Sequence, residues 1–247
     1  MATSYNNIGL VYHNQGDYPK ALEYYEKSLV IRLSILGENH PDVAASYNNI
    51  GDVYANRGDY PKALEYHEKS LAIRLSTFGE QHPNVADSYN NIGFVYSNQG
   101  DYPKALEYHE KSLAIRLSIF GENHPAVASC YNNIGLVYAN QGDYPKSLDS
   151  FEKSLAIYLN VYGENHPYVA TSYNNIGSIY YYQGNYPKAL EYYEKSLAIY
   201  LNVYGENHPY VAVLYECLYY IYTKLGNTEK AEENRQKAEA IKSALVR

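Results

Sequence analysis

The chain has 247 residues, with 20 Lys and Arg against 27 Asp and Glu, a formal charge of -7 and 46% hydrophobic residues. That apolar content excludes bulk disorder, and a mildly acidic chain without a basic block argues against nucleic acid or an anionic membrane as the main partner. Two cysteines, Cys130 and Cys217, are too few and too far apart for a disulfide framework or a zinc site. No apolar run reaches the roughly 18 residues of a membrane span. No secretion signal follows Met1, so the expectation is a cytoplasmic protein.

One bias stands out: 33 tyrosines against 4 phenylalanines and no tryptophan. Repetition explains it. The string Tyr-Asn-Asn-Ile-Gly recurs from Tyr5, Tyr47, Tyr89, Tyr131 and Tyr173, each 42 residues after the last. The expectation is a single repeat domain over 1–247, with units 2–43, 44–85, 86–127, 128–169 and 170–211 and a divergent capping repeat 212–247.

The first unit opens directly in a helix with Tyr5, Ile8 and Tyr12 on one face, without the Asn-His-Pro lead-in of later units. That end reads as uncapped, either part of a longer array or a surface that meets something. In the second unit Val43, Tyr47, Ile50 and Tyr54 step by four, three and four, from Pro41 to about Asn56, which is one face of a helix. Gly58 breaks the chain, Asp59 is a good N-cap, and Pro61 suits the first turn of the next helix. Its stripe is Ala63, Leu64, His67, Leu71, Leu75 and Phe78, ending at Gly79. Glu65 and Lys69 form an exposed i,i+4 pair. The third to fifth units repeat this pattern. The sixth places Glu232, Arg235 and Glu239 where the first has Leu22, Tyr25 and Leu29, the polar outer face that a capping repeat needs. A helix pair with one apolar stripe per helix must stack on neighbours, and no period-two alternation is present, so the fold class is all-α. Gly9 and its copies interrupt helices at a cost of roughly 1 kcal/mol, which calls for close approach by another helix.

Tyr5-x2-Ile8-Gly9-x2-Tyr12, followed by Ala21-x3-Tyr25, resembles the tetratricopeptide repeat pattern. Later units match similarly, with Ser147 in place of the small alanine in the fourth. The second helix runs on to Gly37 and the segment Glu38-Asn39-His40-Pro41, longer than the usual period of about 34. In this it is similar to the 42-residue variant of kinesin light chains. The resemblance implies a right-handed superhelical solenoid with the first helices lining a concave groove. It also implies a protein or peptide partner.

Catalytic chemistry finds no constellation, and neither a cofactor nor a metal is expected. His40, His82, His124, His166 and His208 recur once per repeat. Stacked repeats lie on the order of 10 Å apart, whereas zinc ligands sit about 2 Å from the ion, so a helix-start hydrogen bond is the better reading. His67 and His109 replace Tyr25 on the packing stripe and are expected in the core. No nucleophile elbow, phosphate loop or HExxH is present, so an enzyme is not expected.

The functional candidates lie on the first helices. Units two and three differ at 7 of 42 positions, three of them on this helix off the Tyr47-Ile50-Tyr54 stripe. One varied row reads Leu10, Asp52, Phe94, Leu136, Ser178, Tyr220. Tyr181, Tyr182 and Tyr220 are tyrosines the repeat does not require. Beside them runs an unvaried row, Asn7, Asn49, Asn91, Asn133 and Asn175, next to Asn6, Asn48, Asn90, Asn132 and Asn174. An amide offers donor and acceptor and can pair with one peptide unit of an extended chain, and the resemblance implies such a ladder for ligand backbone. One row would serve the ligand and the other the stack, with either assignment open. The reading is a protein–protein interaction scaffold, with Leu10, Asp52, Phe94, Leu136, Ser178, Tyr181 and Tyr220 setting specificity. The alternative is a self-associating module that pairs through Tyr5, Ile8 and Tyr12 into a homo-oligomer.

Overall fold

The computed structural model describes residues 1–245. Among them the chain forms twelve α-helices and no strand. In order these are α1 (Ala2–Asn14), α2 (Tyr18–Leu36), α3 (Pro41–Asn56), α4 (Tyr60–Phe78), α5 (Pro83–Gln99), α6 (Tyr102–Phe120), α7 (Pro125–Gln141), α8 (Tyr144–Tyr162), α9 (Pro167–Tyr182), α10 (Tyr186–Tyr204), α11 (Pro209–Lys224) and α12 (Thr228–Leu245). Odd-numbered helices are the first of each pair. They fall into two compact units, Met1–Gly121 with α1 to α6, and a second from Glu122 with α7 to α12.

The helix ends follow from local chemistry. The side chains of Asp17, Asp59, Asp101, Asp143 and Asn185 each accept the N–H of the lysine three residues on, capping the second helices. The first helices are capped by the recurring histidines. His40 Nδ1 accepts from the Asp42 N–H at 3.1 Å, and His82, His124, His166 and His208 do the same at 3.1–3.2 Å. Accepting through Nδ1 places the neutral ring's proton on Nε2. Aromatic side chains ending the preceding helix stack on these rings, Phe78 on His82 at 4.3 Å and Tyr162 on His166 at 4.2 Å. Gly58 and Gly79 turn the chain with φ of 78° and 77°, a region that disfavours side chains with a Cβ.

The first five pairs are each locked by a glycine on the first helix facing a ring on the second. A Cβ on Gly9 would lie 2.7 Å from Tyr25, on Gly51 2.8 Å from His67, and on Gly135 2.7 Å from Phe151. The sixth repeat departs at both positions together, with Tyr219 and Arg235. Ser147 keeps the small-residue site functional in the fourth repeat, its Oγ donating to the Gly135 carbonyl at 2.8 Å.

The stripes bury as their period requires. In the first unit Ala21, Leu22, Tyr25, Val43, Ile50 and Val53 form a core beneath Tyr47, Tyr54 and Tyr66. In the second, Phe151, Ile176 and Ile179 pack against Leu148, Leu155 and Tyr192. Each such aliphatic side chain contributes about 1.5–3 kcal/mol. Neighbouring pairs meet through α2 with α3 and α4 with α5 in the first unit, and through α8 with α9 and α10 with α11 in the second. Outside the core, Tyr24 stacks on Tyr12 at 5.5 Å, and Lys20 and Lys27 lie over the Tyr12 and Tyr24 rings. The charged face of α12 points outward, where Arg235 bridges Glu232 and Glu239.

Candidate functional site

The two asparagine rows are bonded to each other. Asn49 Nδ2 donates to Asn6 Oδ1 at 2.9 Å, Asn91 Nδ2 to Asn48 Oδ1 at 2.9 Å, and Asn175 Nδ2 to Asn132 Oδ1 at 2.8 Å. Each rung runs from the second asparagine of one repeat to the first asparagine of the repeat before it. Both rows therefore hold the stack in register. A rung uses only one of the amide's two N–H groups and none of its own carbonyl. Asn7 is exposed, and Asn133 continues the row half-buried. The row then ends. The residue after Asn175 in this series is Cys217, and Asn174 Oδ1, the acceptor a further rung would use, is buried without a hydrogen-bond partner.

The varied row stands open to solvent where it is apolar: Leu10, Phe94, Leu136 and Tyr220 are 47%, 50%, 42% and 55% exposed. Asp52, Ser178 and Tyr181 are half-buried. They are half-buried because they line clefts. In the first unit a cavity of about 160 Å³ is lined by His13, Asp52, Ala55, Asn56, His67, Asn91 and Phe94. In the second, a cavity of about 330 Å³ is lined by Ser178, Tyr181, Tyr182, Tyr193, Cys217 and Tyr220. These are one site built twice. Adding three periods to Asp52, Ala55, Asn56, His67, Asn91 and Phe94 gives Ser178, Tyr181, Tyr182, Tyr193, Cys217 and Tyr220. The walls come from consecutive first helices, with His13 of α1 added in the first copy, and the floor is the ring that faces the packing glycine.

The two copies differ in chemistry. In the first, Asn48 Nδ2 donates to Asp52 Oδ2 at 3.0 Å, and His67 Nε2 lies 3.6 Å from Asp52 Oδ1. Burial pushes the Asp52 carboxyl up to about 6, against the opposing pull of Arg74. Burial also lowers the His67 imidazole to about 4, with Arg74 adding to the effect. His67 Nδ1 is buried without a hydrogen-bond partner. At the next repeat Phe94 stands where Asp52 does, and the His109 ring, likewise lowered to about 4 by burial, reaches Asn90 Oδ1 at 3.2 Å. In the second copy the floor hydroxyl of Tyr193 meets Ser178 Oγ at 3.0 Å and also pairs with Cys217. Burial raises both the Tyr193 hydroxyl and the Cys217 thiol above their usual ranges, so the thiolate is disfavoured.

Sequence reasoning found Asp52, Asn91, Phe94, Ser178, Tyr181 and Tyr220 but missed the floor residues His67 and Tyr193 and the part played by Cys217. Reading the row fifteen positions after the varied one and the row three positions before it would have found them. Of the other candidates, Tyr5 and Tyr12 are half-buried against Tyr24 of their own repeat. Ile8 is 38% exposed, whereas the equivalent Ile50, Ile92 and Ile176 are fully buried.

The chain of stacked helix pairs, the first five locked by a glycine against a ring, matches the tetratricopeptide repeat model over residues 1–76, 42–118, 84–160, 127–202 and 168–244. The chain belongs to the tetratricopeptide repeat family. No protein of curated function matches it in sequence. Among solved structures it is similar to BtubC (BKLC) from P. vanneervenii, at 22% identity and a TM-score of 0.75, over 93% of this chain and 90% of that one. It is also similar to a Podosopora anserina kinesin light chain of nearly identical TPR-like repeats, at 23% identity and a TM-score of 0.68, over 82% and 96%. A Rap protein complexed with competence and sporulation factor aligns at 17% identity and a TM-score of 0.65, over 98% and 74%. At these identities the likeness is one of fold. Among the described residues, no helix of this tetratricopeptide protein is long and apolar enough to cross a membrane.

Proposed function

We propose that this tetratricopeptide protein is an interaction module that holds an extended segment of a partner protein along its first-helix face. The observation that carries the reading is the cleft built at the same register in both units, from the residues that vary while the scaffold around them does not. The asparagine rungs leave amide groups for a ligand backbone, and the clefts and the exposed row of Leu10, Phe94 and Leu136 offer side-chain contacts. Each backbone bond contributes roughly 0.5–1.5 kcal/mol, and the ordering of a flexible peptide offsets much of the sum, which places affinity on the order of micromolar. Fold alone does not decide this. The test is selection of binders from a random peptide library, followed by titration of the best peptide. Phe94→Ala should weaken it about tenfold or more if the face is used, and exposed Val203→Ala on α10 should leave it unchanged. Peptides indifferent to Phe94, Leu136 and Tyr220 alike would overturn the reading.

A second reading rests on the first repeat. Met1, Val30, Ile35 and Leu36 are exposed there, and Met1, Tyr5, Val30 and Ile31 line an open cavity of about 510 Å³ with Glu23, Glu26 and Lys27. Pairing through this surface and Ile8 would make a homo-oligomer. Light scattering on an eluting peak, loaded over a wide concentration range, distinguishes the two. A constant 28.1 kDa removes the oligomer, and a rising mass abolished by Ile8→Asp supports it.

A further inference from the structure

The tyrosine cleft of the second unit gathers Tyr181, Tyr182, Tyr193 and Tyr220 around one cavity. Many tyrosine faces are covered by lysines of the same repeat. Lys20 covers Tyr12 and Lys27 covers Tyr24 in the first repeat, and Lys188 covers Tyr180 and Lys195 covers Tyr173 and Tyr192 in the fifth. Ammonium groups sit 4.9–5.7 Å from the ring centroids in these pairs, within the range where the ring quadrupole attracts a cation. Tyr181, Tyr182, Tyr193 and Tyr220 have no such cation among the described residues. Tyr182 and Tyr220 are 67% and 55% exposed, while Tyr182 also stacks on Tyr144 at 6.3 Å and Tyr220 lies against Tyr219 at 5.0 Å. Tyr193 commits its hydroxyl to Ser178 and Cys217, which leaves the ring as the surface the floor presents.

We propose that this cleft is an aromatic pocket for a lysine side chain of the partner segment whose ammonium is methylated. The inference rests on the groove reading above. The volume of about 330 Å³ lies at the lower end of small-molecule sites and has room for one long side chain. No carboxylate lines the pocket. A bare ammonium is strongly hydrated and would lose that water without an anion to replace it. Methyl groups weaken hydration, keep the charge and fill the space between ring faces. The chain's net charge of -7 favours approach by a basic segment. The equivalent cleft in the first unit is smaller and uses Asp52, His67 and Asn56 where this one has Ser178, Tyr193 and Tyr182, so the two copies read different side chains at the same register.

The test uses the whole chain and two probes, N-acetyl-trimethyl-lysine amide and its neutral isostere in which a tert-butyl group replaces the trimethylammonium, titrated by ligand-observed NMR. The charged probe should bind about fivefold more tightly than the isostere. Tyr220→Ala should abolish that difference and Tyr220→Phe retain it, since a phenyl ring keeps the face; helicity by circular dichroism checks both variants. Phe94→Ala, in the other unit, should leave the probe unaffected. Equal binding of the two probes would overturn the inference in favour of a merely apolar pocket, and no binding of either at millimolar concentration would overturn it outright. Library peptides that bind through Phe94 while both probes fail would leave the groove reading standing without this pocket. Lysine probes that bind while no library peptide does would separate the two in the other direction.

Discussion

The broken rung beside the tyrosine cleft offers the sharpest test of how the repeats are held together. Replacing Cys217 by Asn restores the residue found at Asn49, Asn91, Asn133 and Asn175 and gives Asn174 Oδ1 a donor. A buried acceptor without a partner costs about 1–3 kcal/mol, and a satisfied rung contributes about 0.5–1.5 kcal/mol net. The variant loses the contact between Cys217 and the Tyr193 hydroxyl, but Ser178 still engages that hydroxyl at 3.0 Å. Space is not an obstacle, because Asn49 occupies the same position in the repeat pair whose floor ring is Tyr25, also a tyrosine. The expected result is a gain of about 1 kcal/mol, which for a chain of this size raises the melting midpoint by about 2–4 °C. The assay is urea denaturation followed by circular dichroism, with amide exchange on α9 to α12 to show that the gain is local, since repeat arrays unfold in parts. The same substitution narrows the tyrosine cleft and should weaken the trimethyl-lysine probe. A variant of unchanged or lower stability would refute the view that the asparagine rungs carry register energy.

The same reasoning makes Asn91→Ala cost about 1 kcal/mol in the first unit, because it removes the bond to Asn48 at 2.9 Å, and it should weaken any selected peptide as well; a stability unchanged within error would leave the rung without energetic weight. Gly135→Ala should destabilise by about 1–2 kcal/mol despite the better helix propensity of alanine, because the new Cβ lies 2.7 Å from a Phe151 ring that is 1% exposed. Adding Phe151→Leu should reverse the sign of the alanine effect in a double-mutant cycle followed by urea melts. For pH, the His109 imidazole is lowered from 6.5 to about 4 by burial, so the unfolded chain binds the extra proton. Its contribution is present above pH 6.5 and is lost as pH falls towards 4, on the order of 3 kcal/mol in all. His109→Phe, the residue found at Phe151, should flatten that loss in melts taken from pH 7 to pH 4. Asp52 works in the opposite direction: its raised carboxyl favours the fold below pH 3.8, and the gain disappears as pH rises through about 6. Asp52→Asn should therefore steepen the acid loss, and a shallower profile would contradict the assignment. His82→Ala should cost about 1 kcal/mol by removing the cap on α5, measured as a lowered thermal midpoint.

Period and local chemistry made most of the fold legible without coordinates. The bounds of α3 and α4, the Asp59 cap, the stop at Gly79 and the Glu65–Lys69 pair at 2.6 Å all follow from side chains within a few residues of one another. Such contacts depend on the helix geometry alone, and that geometry is set by sequence spacing. The histidine caps and the glycine contacts were legible for the same reason, since repetition showed that each position had one job performed five times.

The clefts were legible only in part. Asp52, Phe94, Ser178 and Tyr220 announced themselves by varying, but His67 and Tyr193 lie fifteen residues further along, on the other helix of the pair. Which ring of that helix turns towards the glycine, and so becomes a floor, is decided by how the two helices cross. The asparagines show the limit most plainly. Sequence established two unvaried amide rows and the chemistry of an amide, but amides have donors and acceptors to spend in more than one direction. Only the stacking of one repeat on the next brought Asn91 to 2.9 Å from Asn48 and left Asn174 Oδ1 buried without a partner. Local periodicity determines where helices begin, end and hide their apolar face. The partner of a polar side chain between repeats is set by the rise and rotation from one pair to the next, and that is a property of the packed array.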